Sequence, residues 1–279
     1  LQYGDEGKGK VIYSLLNNNQ LYTYCLRFNG GPNAGHTIYH NNKKLVTHQV
    51  PTGIFYNLIC IIGSGCVLDI DKLEDEIKEL ENIGVKDIRK RLKIANNCHI
   101  IKKEYIKEDI NTDKIGSTGS GIRPTYREKY NRNGLLAKSF GEQINGCDII
   151  DPYIFFKKYK NNKVICEGAQ GFMLDIDYGH YPYVTSSNCH IGPIINSGIS
   201  FRNISRIYGV AKIYNTYVGN KEFQPCNDKD LEKLGSLGNE FGSTTGRKRQ
   251  INWLDLNELT KAIDINNVNI LIINKCDII

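Results

Sequence analysis

Seven residues near the start of the chain, Gly4-Asp5-Glu6-Gly7-Lys8-Gly9-Lys10, set turn-forming glycines beside two cations and two carboxylates. Three glycines let the backbone turn tightly and bring several N–H groups toward one anion. The spacing Gly4-x4-Gly9-Lys10 copies the first part of a nucleotide-binding phosphate loop, but Val11 stands where a Ser or Thr hydroxyl should hold magnesium. A metal ligand must then come from elsewhere, and Asp5, inside the loop, is the available carboxylate. The expected chemistry is a phosphate cradle with a reactive acid built into it. For the heptapeptide alone, the competing reading is a solvated glycine turn with surface charges.

Four further stretches carry residues of the same kind. Asn29-Gly30-Gly31-Pro32-Asn33-Ala34-Gly35-His36-Thr37 holds one histidine and one amide among small residues; an imidazole with a pKa near 6.5 serves as donor or acceptor at neutral pH. Gly116-Ser117-Thr118-Gly119-Ser120-Gly121 offers hydroxyls and glycines to an anion or a base edge, or is simply a flexible linker, and Arg123, Arg127 and Arg132 follow it. Gly242-Ser243-Thr244-Thr245-Gly246-Arg247-Lys248-Arg249 places hydroxyls before three cations, which suits a small dicarboxylate; a solvated charge run is the bland alternative. Asn274-Lys275-Cys276-Asp277 matches the Asn-Lys-x-Asp pattern of GTP-binding proteins. An aspartate there accepts from both N1–H and N2–H of guanine. Adenine would leave the carboxylate unpaired, which discriminates by about 10⁴-fold or more.

These loops need rigid elements behind them. Val11, Ile12, Leu15 and Leu16 form an apolar stripe at helical spacing that ends at Asn17-Asn18-Asn19, so the glycine loop leads into a helix N-terminus whose dipole favours phosphate. Strands are predicted over 21–28, 58–62, 163–166 and 207–214, and a buried strand over 268–273. Residues 38–50 are expected to form a hairpin turning at Asn41-Asn42. Leu73, Ile77 and Leu80 mark a helix that Gly84 closes. Asp255 and Glu258 read as a capping box, with Leu256, Leu259 and Ile263 on the buried face. The predicted fold class is α/β: a mostly parallel central sheet flanked by helices, a phosphate loop after the first strand, and ligand loops gathered at the carboxyl edge. Between 136 and 163 the pattern is poor, apart from a short helix around 152–159.

Composition narrows the partners. The chain has 279 residues, 40% hydrophobic and 24% charged, with a net charge of +6. That mild excess suits a phosphorylated small substrate and lacks the dense basic stripe of a nucleic-acid binder. No apolar run reaches the roughly 18 residues of a membrane span. Nine cysteines without a Cys-x-x-Cys pair indicate a reducing compartment, hence a cytoplasmic location. Only Leu1-Gln2-Tyr3 precede the glycine loop and the sequence stops just past Asp277, so 1–279 is expected to be a single domain, incomplete at both ends.

Taken together and in order, Gly4–Lys10, Gly30–Thr37, Glu167-Gly168-Ala169-Gln170-Gly171 with Leu174-Asp175-Ile176-Asp177 and Tyr181–Asn188, Glu240–Arg249 with Trp253-Leu254-Asp255, and Lys275–Asp277 resemble the adenylosuccinate synthetase family. The resemblance runs from residue 1 to 279, fades over 136–163 where this chain looks shorter, and lacks the family's C-terminal portion. It implies a ligase of purine nucleotide (AMP) biosynthesis that joins IMP and L-aspartate at the expense of GTP, with Mg²⁺ as cofactor. It further implies that Asp5 is the general base and a magnesium ligand, that His36 is the general acid, and that Lys8 contacts the transferred phosphoryl group. Gly4, Glu6, Gly7, Gly9, Lys10, Gly35 and Thr37 would line the GTP phosphates, with the Gly35 backbone also on the metal and Lys275 and Asp277 on guanine. Asn33, Thr118, Gln170, Thr185 and Arg247 would line the IMP pocket. Arg132 would reach the partner subunit's IMP site in a homodimer. Thr244, Thr245, Arg247 and Arg249 would hold aspartate.

Some positions depart from the family pattern. Tyr3 replaces a tryptophan, His180 a threonine and Tyr217 an arginine; Pro32 and Arg123 are unusual in their loops, and 221–225 and 250–252 are altered. None removes the implied base, acid or guanine reader; Tyr217 and the segment after it bear on substrate affinity. Two other readings remain at this point: a GTP-binding switch module, and a relative that binds nucleotides without turnover. The first lacks the hydroxyl after Lys10 and leaves Gln170, Thr185 and the arginine loop unexplained.

Overall fold

The computed structural model describes residues 1–18, 21–40, 43–113, 115–242 and 246–278. Its centre is a six-stranded sheet with the order Lys163–Glu167, Tyr22–Arg27, Ile59–Ile62, Leu92–Ala95, Cys147–Ile150, Gln143–Ile144. The first five strands are parallel and the last pairs antiparallel. Successive side chains on a strand face opposite sides, and the core divides accordingly. Cys25, Cys60 and Ile62 join Ile12, Leu16, Ile54, Leu73, Ile77 and Ile94 on one face. Tyr24, Leu26 and Ile61 join Phe28, Phe156 and Ile194 on the other. Burial on both faces is what makes these strands read as near-continuous apolar runs.

The first helix, Lys8–Asn17, starts at Gly7, whose φ of 89° is the left-handed region a glycine supplies. The hairpin pairs His36–His40 with Lys43–Thr47; its expected turn, Asn41-Asn42, lies outside the described residues. The helix Ile70–Asn82 is capped by the Asp69 side chain on the Lys72 N–H, and Gly84 follows with φ 94°.

Two smaller pairs flank the main sheet. Tyr208–Lys212 runs parallel to Ile270–Asn274, and Tyr214–Tyr217 antiparallel to Gln250–Trp253. The single strand expected over 207–214 is therefore two strands with a break at Ile213. The strand predicted as buried over 268–273 is half-open instead: Ile270, Leu271 and Ile273 are 36%, 39% and 43% exposed. The helix Leu256–Asn266 starts at Asp255, whose carboxylate accepts from the Asn257 and Glu258 N–H groups. Its buried face is Leu259, Ala262 and Asn266, while Leu256 is exposed. Glu258 does not close a capping box; its carboxylate takes the Tyr3 hydroxyl and the His180 ring. Among the described residues no helix is long and apolar enough to cross a membrane, and the nine cysteines are all unpaired.

Candidate active site

The parallel register brings the loops together. Tyr22–Arg27 and Lys163–Glu167 end side by side, with Arg27 opposite Glu167. The chains leaving them, 28–35 and 168–171, are tied by Asn29. Its Oδ1 accepts from the Ala169 N–H at 2.7 Å, and its Nδ2 donates to the Asn188 carbonyl at 3.0 Å. Gln170, at φ 57°, donates through Nε2 to Asn33 Oδ1 at 3.1 Å, joining two of the predicted IMP residues. Its Oε1 is buried without a partner. Thr185 donates its N–H to the Leu174 carbonyl at 2.8 Å, which ties its loop to the segment that follows Gln170. Asp175, fully buried, accepts from the Asp177, Tyr178 and Cys189 N–H groups and so shapes that loop.

The phosphate loop is braced from within. The Glu6 carboxylate is buried and accepts from the Gly4 N–H at 2.7 Å and the Lys8 ammonium at 3.2 Å. Burial pushes its pKa up, but the Lys8 charge and the backbone donors win and hold it near 2. The Glu6 side chain thus faces the loop interior, which leaves only its backbone to meet a nucleotide. Lys8 also donates to the Gly4 carbonyl at 2.8 Å. Lys10 is exposed on the first turn of the helix.

Gly9 lies against the hairpin. A Cβ there would stand 2.9 Å from His36 Cβ, so only glycine lets the helix and His36 approach this closely. His36 is buried, with neither ring nitrogen hydrogen-bonded. Its Nδ1 is 3.6 Å from Glu167 Oε2, and Glu167 Oε1 accepts from the Thr52 N–H and lies 3.7 Å from Arg27 Nη1. Burial, aided by the Arg27 charge, pulls the His36 pKa down to about 4 against the opposing pull of Glu167. Its imidazole is neutral at pH 7. The Glu167 pKa is held below its ordinary value: burial opposes its charge, but contact with the His36 ring, the Arg27 cation and the Thr52 N–H outweighs that burial. From the sequence Arg27 has no part, and Glu167 stands only as the first residue of its glycine-rich stretch, without a role. The usable signal was a charged residue closing each of two apolar strands. Gly35 and Thr37 flank His36 and are half-buried.

Asp5 stands at the mouth of the loop with its side chain 24% exposed, its Oδ2 2.8 Å from Arg249 Nε. Arg247 donates from Nη2 to the Gly116 carbonyl at 2.9 Å, joining the arginine loop to the 116–121 loop. There Asp113 accepts from the N–H groups of Ile115, Gly116 and Ser117. Thr118 is exposed, its hydroxyl on Ser120 Oγ. Thr244 and Thr245 lie outside the described residues. Lys275, at φ 66°, donates to the Gly238 carbonyl at 2.6 Å, and Asp277 is exposed beside it. Asn274 donates to the Glu6 carbonyl at 2.6 Å, linking the proposed guanine turn to the phosphate loop. Arg132, at φ 64°, is exposed just past the helix Ile122–Tyr130 and is not gathered with the rest.

The departures at Tyr3, Tyr217 and 221–225 converge on one another beside this cluster. Tyr3, Tyr217 and Phe223 pack as one buried aromatic group, with centroids 5.0–5.8 Å apart. Tyr217 is 4% exposed and packs in this group, while its hydroxyl lies close enough to Arg247 and Asp113 to feel their charges.

Comparison with known proteins agrees with this geometry. The sequence model described as adenylosuccinate synthetase matches residues 1–161 and 137–279. Adenylosuccinate synthetases of Chlorobium phaeobacteroides and Chlorobium chlorochromatii are 37% and 38% identical over 330 aligned positions, spanning 100% of this chain and 75% of theirs. The fully ligated adenylosuccinate synthetase of Plasmodium falciparum superposes with a TM-score of 0.86 at 32% identity, covering 99% of this chain and 76% of that one. The cyanophage S-2L succinoaminodeoxyadenylate synthetase, 23% identical, shares the fold with a TM-score of 0.81 over 98% and 81% of the two chains. With the phosphate loop, the buried histidine and the arginine loop converging at one sheet edge, and with relatives of this similarity, the chain belongs to the adenylosuccinate synthetase family.

Proposed function

We propose that Asp5 and His36 are the proton-transferring residues with which this chain carries out its family's reaction, the GTP-dependent ligation of IMP and aspartate to adenylosuccinate in purine biosynthesis. The observation that carries the reading is the joint position of Asp5 and His36 around one glycine loop: Asp5 in the loop at its mouth, His36 packed against Gly9. Asp5 takes the N1 proton of IMP, and O6 becomes nucleophilic. O6 attacks the γ-phosphorus of GTP, the bond to the bridging oxygen breaks, and GDP leaves. The aspartate amine then attacks C6 of the 6-phosphoryl-IMP intermediate, and phosphate departs. The phosphoryl step calls for a base and fixed donors, not a covalent protein nucleophile. His36 enters it neutral, and a phosphate arriving beside the ring raises its proton affinity. The ring then takes up a proton from solvent as the phosphates arrive and gives it to the departing bridging oxygen, which makes it the acid there. Lys8 and the N–H groups of 4–10 bear on the transferred phosphoryl group, with Gly35 and Thr37 across from them.

The residues present fit Mg²⁺. A magnesium ion accepts one or two protein oxygens and fills its octahedron with substrate phosphates and water, and the partly exposed Asp5 carboxylate with the Gly35 carbonyl would supply such a pair. Bound there, it would neutralise charge on the β- and γ-phosphates. Asn33, Gln170, Thr185, Thr118 and Arg247 hold IMP. Arg247 and Arg249, with Thr244 and Thr245, hold aspartate, and Lys275 and Asp277 read guanine. We assign the enzyme to the cytoplasm and to a homodimer in which Arg132 reaches the partner's IMP site; the exposed position of Arg132 supports this.

The test is adenylosuccinate absorbance with IMP, aspartate, GTP and magnesium all present. Asp5→Ala lowers turnover by more than the 10²–10⁴-fold, roughly, of a lost general base, because a metal ligand goes with it. Wild-type-like turnover in that variant refutes the role.

A further inference from the structure

Behind the Asp5–Arg249 contact lies a buried cluster of charges to which the reaction above gives no part. Glu240 is 2% exposed and directly precedes the arginine loop. One carboxylate oxygen takes both the Lys212 ammonium, at 2.9 Å, and Nη1 of Arg249; the other takes the Tyr214 hydroxyl. Lys212 is 3% exposed and also donates to Thr216 Oγ1 at 2.9 Å. Its backbone is clasped by Gln2: the Lys212 N–H donates to Gln2 Oε1 at 2.7 Å, and Gln2 Nε2 donates to the Lys212 carbonyl at 3.2 Å. Gln2 precedes Asp5 by three residues. The contacts therefore close a ring, from the segment that carries Asp5 through Lys212 and Glu240 to Arg249, and back to Asp5.

Keeping three charges this deep costs desolvation energy that an apolar cluster of the same volume would not. The ring does something an apolar cluster cannot. It holds the guanidinium of Arg249 through Nη1, with Nε 2.8 Å from Asp5 Oδ2. We propose that Glu240 is a positioning residue for the ligation: it holds Arg249 in the one orientation that serves both the Asp5 carboxylate and an incoming aspartate. The proposal rests on the roles given above to Asp5 and Arg249.

The test uses steady-state kinetics for all three substrates, together with melting temperature, on wild type, Glu240→Gln, and the pair Lys212→Met with Glu240→Gln. The single variant strands a buried ammonium, so its melting temperature falls. The double variant removes that stranded charge and recovers it. If Glu240 positions Arg249, both variants lose about 10²-fold in kcat/KM for aspartate, as displacement of a substrate-orienting group does, while the KM values for GTP and IMP hold. A double variant that regains wild-type kcat/KM for aspartate along with its stability overturns the proposal, since Glu240 would then only neutralise Lys212. KM values for GTP and IMP that rise as much as that for aspartate in the stable double variant overturn it as well. Asp5→Asn, run alongside, reads the underlying assignment separately. It abolishes turnover at every aspartate concentration, whereas the Glu240 variants regain part of theirs at saturating aspartate. Wild-type turnover in Asp5→Asn would count against the base and not against the Arg249–Glu240 contact, which the aspartate KM reads directly.

Discussion

His36 stays neutral at pH 7 because burial and the Arg27 cation both oppose charging it. The consequence for stability follows from its sign. The folded pKa is near 4 and the unfolded one near 6.5, so between those values the unfolded chain binds a proton that the folded chain refuses. Stability is therefore full above about pH 6.5 and declines as the pH falls toward 4. His99 moves in the same direction, chiefly by burial. His36→Gln should remove its share: between pH 7 and pH 5 the wild type is expected to lose about 2 kcal/mol more than the variant, read from urea midpoints at the two pH values. At this scale much of the site was legible. Asp5, Lys8 and His36 stand in short motifs that the sequence picks out, and the fold sets the glycine loop against His36. Arg27, Glu167, Lys212 and Glu240 were not legible as a group. Each reads as the end of a strand or the approach to a loop, and only the register that sets Arg27 opposite Glu167, and the fold that brings Lys212 to Glu240, makes them partners.

Helices and strands carry the loops to their places, and their ends matter more than their middles. Asp255 fastens the helix Leu256–Asn266 by accepting two backbone N–H groups. Asp255→Ala should cost about 1 kcal/mol, measurable by chemical denaturation. The sequence pattern located three of the six strands of the main sheet, Tyr22–Arg27, Ile59–Ile62 and Lys163–Glu167, because strands buried on both faces are apolar at almost every position; Leu92–Ala95, with a lysine in its four residues, went unread. It erred where a stripe is only partly covered. Leu256 and the strand Ile270–Asn274 are apolar yet exposed in large part, and periodicity alone does not say what covers a face. The hairpin Gln143–Ile144 with Cys147–Ile150 went unread within the patternless 136–163, although its turn carries the signal. Asn145 and Gly146, with φ 51° and 71°, are the Asn-Gly pair that such two-residue turns favour.

Over the whole molecule, loops separated by up to 268 residues in sequence meet at one edge of a parallel sheet, the Asn274–Glu6 hydrogen bond being the longest-range tie among them. Arg132 is the one proposed IMP residue that the fold leaves outside the cluster, which is the arrangement a site completed by a second subunit requires. Arg132→Leu should raise the KM for IMP, and mixing it with Asp5→Ala subunits should restore activity, because the hybrid dimer contains one site with a native Asp5 and a native Arg132 from its neighbour. Absence of any recovery after subunit exchange, followed by adenylosuccinate formation, would rule out sharing.

The bond from the Asn274 side chain to the Glu6 carbonyl makes the nucleotide site a caliper. One jaw is the turn proposed to read guanine, the other the cradle proposed to grip the phosphates, and the Asn274 amide ties the two together. A nucleotide stretched by one extra methylene between ribose and triphosphate must either spring that amide or leave its purine ungripped, so length is judged together with base identity.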